Sequence, residues 1–180
     1  MQISNKYTYE KLIVISPKSF DELRKIIEDR YKKLGPGTKQ DPINFNDIDV
    51  SNLNSFCHKD IGIFEKTKFE YIDISYWNVS NVKSMRYMFF KCKKLKSIGD
   101  VSKWNISKVA DMLAMFYGCE KFNQDLSNWD VSNVTNMYCM FYGCKSFNQD
   151  LSKWNISNVI NMLYMFDKCP IEDKYKSKFK

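Results

Sequence analysis

The sequence lacks the residue combinations on which most catalytic and metal sites are built. Its 180 residues include one histidine, His58, and no Cys-x-x-Cys pair, although there are six cysteines. Zinc sites take their ligands from such histidine and cysteine sets, so we expect no bound metal. The sequence also has no nucleotide-binding fingerprint, no P-loop and no catalytic carboxylate pair in a defined motif. We therefore expect a protein that is not an enzyme and binds no cofactor.

Long apolar runs, proline and glycine are also scarce. The apolar segment near the N-terminus, "LIVI" at 12–15, is far shorter than a signal peptide or a membrane span requires. Four prolines and six glycines argue against a linker-rich or low-complexity chain. Apolar residues make up 44% of the chain, which is enough for the core of one domain. We expect a cytoplasmic protein with no membrane contact and with its cysteines reduced.

What the sequence does contain is a repeat marked by tryptophan. Apolar residues recur at fixed distances from each tryptophan, and every methionine except Met1 belongs to these columns. Such regularity predicts that the columns form the core. The tryptophans are Trp77, Trp104, Trp129 and Trp154, and the columns around them are Ile74, Val101, Leu126 and Leu151; Val79, Ile106, Val131 and Ile156; Val82, Val109, Val134 and Val159; Met85, Met112, Met137 and Met162; Met88, Met115, Met140 and Met165; and Phe89, Phe116, Phe141 and Phe166.

The period of about 25 residues predicts a solenoid, in which each unit buries its apolar face against its neighbours. The pattern Leu-x-x-Trp-x-Val at 126–131 is close to the core of a leucine-rich repeat, and it predicts a short strand with Trp129 and Val131 pointing inward. The apolar spacing at 134–141 is typical of a helix, which Gly143 could end. We therefore predict an α/β solenoid, similar to leucine-rich repeats, with short parallel strands and short return helices.

The two ends of the chain differ from the repeats. Residues 1–43 are predicted to form an N-terminal cap, with an edge strand in "KLIVIS" and a helix that begins at the capping box of Ser19 and Glu22. Residues 44–169 are predicted to form the solenoid, with a degenerate first unit followed by about four repeats. Residues 170–180, after the last unit, are predicted to be a C-terminal cap or tail.

The repeats resemble the BspA-like leucine-rich-repeat proteins, in the form common in mycoplasmas, fusobacteria and some anaerobes. The shared pattern, F-N-x-D-L-S-x-W-D/N-V-S-N-V-x-x-M-x-x-M-F, is present here at 122–141 and 147–166. The resemblance covers about residues 47 to 169. It implies a leucine-rich-repeat solenoid with a binding or adhesion role and no catalytic residues.

The residues beside the tryptophans are the first candidate binding surface, because outward side chains of the strand face usually contact ligands in leucine-rich repeats. The more regular Asp and Ser positions nearby, such as Asp125 and Ser127, are predicted to serve turns instead. The candidate contact residues are Tyr76, Lys103, Asn128 and Lys153 directly before each tryptophan, and Asn78, Asn105, Asp130 and Asn155 directly after it.

A basic segment at 83–108 is the second candidate surface. Asp100 is the only acid in it, so its balance of +7 equals the net charge of the whole chain. Such a segment attracts acidic protein surfaces or phosphates. A protein partner, which could itself be a nucleoprotein, is favoured over direct nucleic-acid binding because no RNA- or DNA-binding motif is present. The basic residues are Lys83, Arg86, Lys91, Lys93, Lys94, Lys96, Lys103 and Lys108.

Three functions compete at this point. The first is a non-enzymatic intracellular protein-binding module that uses the repeat surface and the basic segment. The second is an inhibitor from a phage or mobile element that acts on a host nucleoprotein enzyme in the manner of anti-CRISPR proteins. The third is a surface adhesin whose signal peptide is missing from this sequence.

Overall fold

The computed structural model describes residues 14–175 and residue 179. Its N-terminal part contains one long helix. Helix α1 spans Phe20–Leu34, and the Ser19 side chain accepts a hydrogen bond from the Glu22 main-chain N–H, as the capping box predicts. The helix buries Leu23 and Ile27 in the core, whereas Leu34 is exposed. Through Leu23 and Ile27, α1 packs against the same core as the repeats.

The edge strand predicted in "KLIVIS" lies partly outside the described residues. Its described part contacts the first unit through Ile15, which forms a parallel bridge with Ile48. The Ile15 N–H donates to the Asp47 carbonyl at 2.8 Å, and the Ile15 carbonyl accepts from the Asp49 N–H at 2.8 Å. The chain before α1 is therefore tied to the start of the repeat region.

Four short strands follow α1 in the part of the chain that the structure describes. Strand β1, Ile43–Asn44, pairs in parallel with β4, Ile72–Asp73, and links the degenerate first unit to the next one. Strand β2, Cys57–His58, pairs antiparallel with β3, Ile61–Gly62. The Arg24 guanidinium of α1 donates to the Gly62 carbonyl, so the helix also holds this hairpin.

The β2–β3 loop consists of Lys59 and Asp60, which both have positive φ angles of 48° and 59°. Two left-handed residues in a two-residue hairpin loop define a type I′ turn, which prefers Asn-Gly. We expect Lys59→Gly, which leaves the Asp60 carboxylate paired with Arg86, to raise the free energy of unfolding by about 1 kcal/mol, because a non-glycine residue is strained at this left-handed position. Urea unfolding measures this change. Lys59→Ala keeps the strain and serves as the control; an equal gain from it would contradict the turn assignment.

The later repeats stack in register through isolated parallel bridges. These join Ser55 to Ser84 and then run from Ser84 through Asp111 and Asn136 to Asn161. Beyond each bridge, alternate N–H groups donate to carbonyls of the next unit, and the resulting ladder fixes the order of the stack. Between two central units the bonds run from Met112 to Asn136, Ala114 to Tyr138, Phe116 to Met140 and Gly118 to Tyr142, at 2.7–3.0 Å.

The segments that form this ladder are turns, in place of the predicted return helices. The Met140 N–H donates to the Met137 carbonyl, and the Cys144 N–H donates to the Phe141 carbonyl, each at 3.1 Å. The third residue of each turn, Cys139 or Gly143, has a positive φ of 54° or 69°. This is the geometry of two successive type II turns. A helix cannot run through left-handed residues, so the apolar spacing here reflects the turn period.

The Leu-x-x-Trp-x-Val segment, predicted as a strand, begins with a turn. The Trp129 N–H donates to the Leu126 carbonyl at 3.1 Å. The Asp125 carboxylate accepts from the Ser127 N–H at 2.8 Å, which confirms the predicted turn role of these two residues. Trp129 and Val131 are both buried, as expected. The segment therefore faces the core as predicted but makes its main-chain bonds locally.

The predicted columns do form the core. The four tryptophans are at most 6% exposed, and the valine, methionine and phenylalanine columns are buried through the central repeats. In the last repeat Val159, Met162 and Phe166 are only partly buried. Each indole also donates to a main-chain carbonyl of the preceding unit. The bonds join Trp77 to Phe45, Trp104 to Ile74, Trp129 to Val101 and Trp154 to Leu126, at 2.8–3.3 Å.

Candidate functional site

The residues directly after the tryptophans are engaged in local turns. The side-chain oxygens of this column accept hydrogen bonds from the N–H of the serine two residues later, at 3.1–3.2 Å. The residues directly before the tryptophans are exposed, and Tyr76 is 84% exposed. The turn residues are Asn78, Asn105, Asp130 and Asn155, and the exposed ones are Tyr76, Lys103, Asn128 and Lys153.

Tyr76 also lines a wide cleft of about 1110 Å³ between α1 and the loop before β1. The main polar group of this cleft, the Arg30 guanidinium, is held by the Asp47 carboxylate at 2.6 and 2.8 Å and by the Asn44 carbonyl. These bonds join α1 to the first unit. The role of Arg30 in this cleft is therefore to hold α1 on the first unit.

The basic segment is partly neutralised by acids of neighbouring units. Arg86 donates to both Asp60 and Asp111, at 3.0 and 3.2 Å. Lys108 donates to the Asn81 amide oxygen at 3.0 Å. Lysines at two further positions form ion pairs, from Lys96 to Glu70 at 2.8 Å and from Lys93 to Glu120 at 3.8 Å.

Since these acids lie about one repeat away along the sequence, the segment's local balance of +7 overstates the positive charge that it presents in the folded protein. The remaining lysines of the segment, Lys83, Lys91, Lys94 and Lys103, are exposed. Their side chains supply the basic character that is left.

A second, smaller concave surface is lined by aromatic side chains that the core does not use. It has a volume of about 480 Å³ and runs across the four repeats beside the ladder of turns. We call it the aromatic groove; among the residues that the structure describes, it is lined by Tyr87, Phe90, Leu113, Ala114, Tyr117, Tyr138, Cys139, Tyr142, Tyr164 and Asp167.

One wall of the aromatic groove is a stack of rings from successive repeats. The ring centroids of Phe90 and Tyr117 lie 4.9 Å apart, and those of Tyr117 and Tyr142 lie 4.7 Å apart with nearly parallel planes. The opposite side includes Tyr138, whose ring meets Tyr164 edge to face at 5.9 Å. Parallel stacking follows directly from the ladder, because it places equivalent residues one above another.

The floor of the groove is formed by small side chains. Ala114 and Cys139 occupy the position that Tyr87 and Tyr164 occupy in the first and last of the four repeats. All four residues have nearly the same left-handed φ, between 50° and 58°. The backbone is therefore equivalent at the four positions, and the two middle repeats differ from the first and last in the size of this side chain.

Charged groups surround the ring stack. The Lys91 ammonium lies 5.0 Å from the centre of the Phe90 ring, and the Lys168 ammonium lies 5.1 Å from that of Tyr142. A hydrogen bond with Tyr142 raises the pKa of Lys168. Asp167 contributes a carboxylate to the lining. The groove thus offers apolar ring surface with charges of both signs near one end.

Three cysteines at equivalent positions of successive repeats lie buried inside the stack and make hydrogen bonds. The thiols of Cys92, Cys119 and Cys144 donate to main-chain carbonyls of the preceding unit at 2.9–3.0 Å. Burial raises the pKa of Cys92 to about 12 and places those of Cys119 and Cys144 well above the usual 9.0. Thiol reactivity requires the thiolate, so these three groups are inert in the folded state.

We expect an alkylating reagent at mildly alkaline pH to spare Cys92, Cys119 and Cys144 in the folded protein and to label them in urea. Cys57, which is half-buried, should react earlier, although burial raises its pKa too. Peptide mapping by mass spectrometry measures the order. Rapid labelling of Cys119 without urea would contradict this burial.

The raised thiol pKa values also predict that the free energy of unfolding falls as pH rises from about 9 toward 12, because the thiols of the unfolded chain ionise first.

Two further features are absent from the described residues. Over 14–175 and 179, no helix is long and apolar enough to span a membrane. In the same part of the chain, no group of three histidine, cysteine, aspartate or glutamate side chains is arranged to hold a metal ion.

Comparison with known proteins identifies a family. The family model described as "Mycoplasma protein of unknown function, DUF285" matches residues 43–179, which include the whole predicted repeat region. Comparisons with curated proteins and with solved structures give no match. The match agrees with the mycoplasma type of repeat protein that the sequence resembles. The chain belongs to this family of Mycoplasma proteins of unknown function, DUF285.

Proposed function

We propose that the protein is a non-enzymatic protein-binding module, a solenoid of the leucine-rich-repeat type that presents the aromatic groove to its partner. The observation that carries the proposal is the row of partly exposed rings along one face of the stack. The core already contains the tryptophan and phenylalanine columns, so these additional rings are not needed to fill it.

The exposed aromatic side chains are of the kind that contributes most to binding between proteins. Tyrosine is enriched at the centres of interfaces, where a large apolar ring is buried and the hydroxyl can still make a hydrogen bond. Near the last repeat, Leu163 is 65% exposed and Tyr164 is 53% exposed, which extends the apolar surface at that end. A partner that covers this face would bury apolar area that is in contact with water in the free protein.

The charge of the molecule favours a partner with an acidic surface. The chain carries a net charge of +7 at neutral pH. Lys91 and Lys168 lie against the ring stack, so acidic side chains beside the groove would find cations there. Nucleic acid is a less suitable ligand, because Phe90, Tyr117 and Tyr142 stack against one another and do not leave all their faces free for bases.

Buried cysteine thiols support a reducing compartment such as the cytoplasm. Cys92, Cys119 and Cys144 donate hydrogen bonds as thiols from inside the core. A disulfide-forming environment is not required for these three residues.

The test is an affinity capture from lysate of the source cells, with and without nuclease treatment. The bait is the tagged wild-type chain beside two variants. One variant combines Tyr117→Ser and Tyr142→Ser in the aromatic groove, and the other combines Lys93→Glu, Lys94→Glu and Lys96→Glu in the basic segment. We expect a nuclease-resistant protein partner that the groove variant loses and the basic-segment variant retains at reduced affinity.

Two results would overturn the proposal. Capture of nucleic acid alone, lost after nuclease treatment, would assign the function to the basic residues. Equal capture by the wild type and the groove variant would remove the groove from the interface. Both variants change exposed or half-buried side chains, and thermal unfolding checks that each remains folded.

A further inference from the structure

Resting on the proposed function, we propose that the floor of the aromatic groove is a slot for two aromatic side chains of an acidic partner peptide. The slot lies over Ala114 and Cys139, between Tyr87 and Tyr164. It deepens the binding proposal by naming the chemistry that the groove would recognise.

The protein itself shows which groups fit at these positions. Tyr87 and Tyr164 place rings from the same backbone conformation that Ala114 and Cys139 adopt, with φ angles of 56° and 58° against 50° and 54°. Tyr87 meets Phe90 edge to face, and Tyr164 meets Tyr138 edge to face. The walls thus pack against aromatic rings, and the middle two repeats carry the small side chains of Ala114 and Cys139 at the two equivalent positions.

The dimensions of the slot agree with a pair of rings. In the adjacent column, rings of successive repeats stand 4.7–4.9 Å apart, so two inserted rings would be separated by a similar distance. Side chains four residues apart on a helix have Cβ atoms about 5–6 Å apart, which matches this spacing. The groove volume of about 480 Å³ is within the range of sites that enclose such groups.

The flanking charges select the sequence around the inserted rings. Lys91 and Lys168 lie beside the ring stack and favour carboxylates next to the aromatic residues. Asp167 is the one carboxylate of the lining, and it disfavours an acidic group directly above the last repeat. The expected ligand is therefore a helical segment with two aromatic residues four positions apart and acidic neighbours.

The first test uses alanine as a reporter, since Ala110 and Ala114 are the only two alanines in the sequence. Alanine labelled with ¹³C at the methyl group gives two NMR signals: Ala114, buried in the slot floor, and Ala110, an exposed control. The probe is a synthetic acidic helical peptide with two phenylalanines four positions apart, beside the same peptide with two leucines. We expect saturable displacement of the Ala114 signal by the phenylalanine peptide and binding about tenfold weaker for the leucine peptide.

Equal affinity of the two peptides, joint displacement of both alanine signals, or no displacement of Ala114 would overturn the slot. None of these results depends on the cellular partner.

A second test fills the slot with the side chain that its own column uses. Ala114→Tyr with Cys139→Tyr should abolish binding of the phenylalanine peptide without lowering the thermal midpoint by more than a few degrees. If this double variant binds the peptide as the wild type does, the slot proposal is wrong.

If the wild type captures a partner from lysate and the filled variant captures it equally, the slot proposal fails but the proposed binding function does not. If the wild type captures no protein, the proposed function itself fails.

Discussion

Replacing Trp129 by alanine is expected to lower the free energy of unfolding by about 3–5 kcal/mol, the usual range for truncating a buried aromatic side chain. Trp129 is 3% exposed, and its ring stacks on Trp104 with a centroid distance of 6.1 Å. Its indole N–H donates to the Val101 carbonyl at 3.1 Å. The substitution therefore opens a cavity and also leaves a buried carbonyl without its partner.

Urea unfolding of three proteins separates these two effects. Trp129→Phe retains most of the ring but removes the indole N–H, so it should cost less than alanine, with about 1–3 kcal/mol from the unpaired carbonyl. Asn128→Ala, at the neighbouring exposed position, is the control and should change stability little. A negligible loss for Trp129→Ala would mean that the tryptophan column is exposed and that the repeat faces are inverted.

Gly62→Ala is expected to be the most damaging single-methyl addition, at about 3 kcal/mol, the upper end of what overpacking usually costs. A Cβ at this position would lie 1.8 Å from the carbonyl oxygen of Tyr87 and 2.9 Å from the main-chain nitrogen of Met88. Both atoms belong to the backbone of the next unit and cannot rotate away. The β2–β3 hairpin would have to move off the stack, and the Arg24 bond to the Gly62 carbonyl would be lost with it.

Gly143→Ala is the matched control for this effect. Gly143 has a φ of 69°, and the nearest atom to the Cβ that alanine would add is 3.8 Å away, which is ordinary contact. Only the left-handed strain remains, which costs about 1 kcal/mol. Comparable losses for the two variants would show that the close contact at Gly62 is not present in solution.

The core of the protein follows from the sequence because the same residue types recur at the same distances. The residues equivalent to Trp129 and Met137 are buried in every central repeat, and stacking of similar units requires such fixed spacing. The start of α1 can also be predicted from the sequence, since the Ser19 side chain caps the helix at the Glu22 N–H as expected. These features depend on local chemistry and on repetition, which a single sequence displays.

The backbone conformation within a repeat could not be predicted from the sequence in the same way. Apolar residues three apart, such as Met137 and Met140, suit a helix and also suit consecutive turns. The choice is made by left-handed residues, and the sequence conceals them because Cys139 and Ala114 stand where glycine would be expected. The ladder between repeats overcomes this local strain, and that contribution is visible only in three dimensions.

The candidate site was missed for a related reason. The column of Phe90, Tyr117 and Tyr142 follows directly after the core phenylalanines and could have signalled an outer aromatic stack. Its neighbouring column is interrupted by Ala114 and Cys139, so it does not look like a repeat feature. The basic segment seemed more charged than it is because ion pairs such as Lys93–Glu120 join residues one repeat apart.

Site-specific photocrosslinking to the captured partner would locate the binding surface on the protein. A photoreactive phenylalanine analogue would replace Tyr117 in the aromatic groove, Asn128 beside a tryptophan, or Lys94 in the basic segment, one position at a time. All three side chains are at least partly exposed, so the comparison is matched. If the aromatic groove is the interface, position 117 gives a strong crosslink, and positions 128 and 94 give weak ones. A dominant crosslink from position 128 or 94, with none from 117, would contradict this assignment.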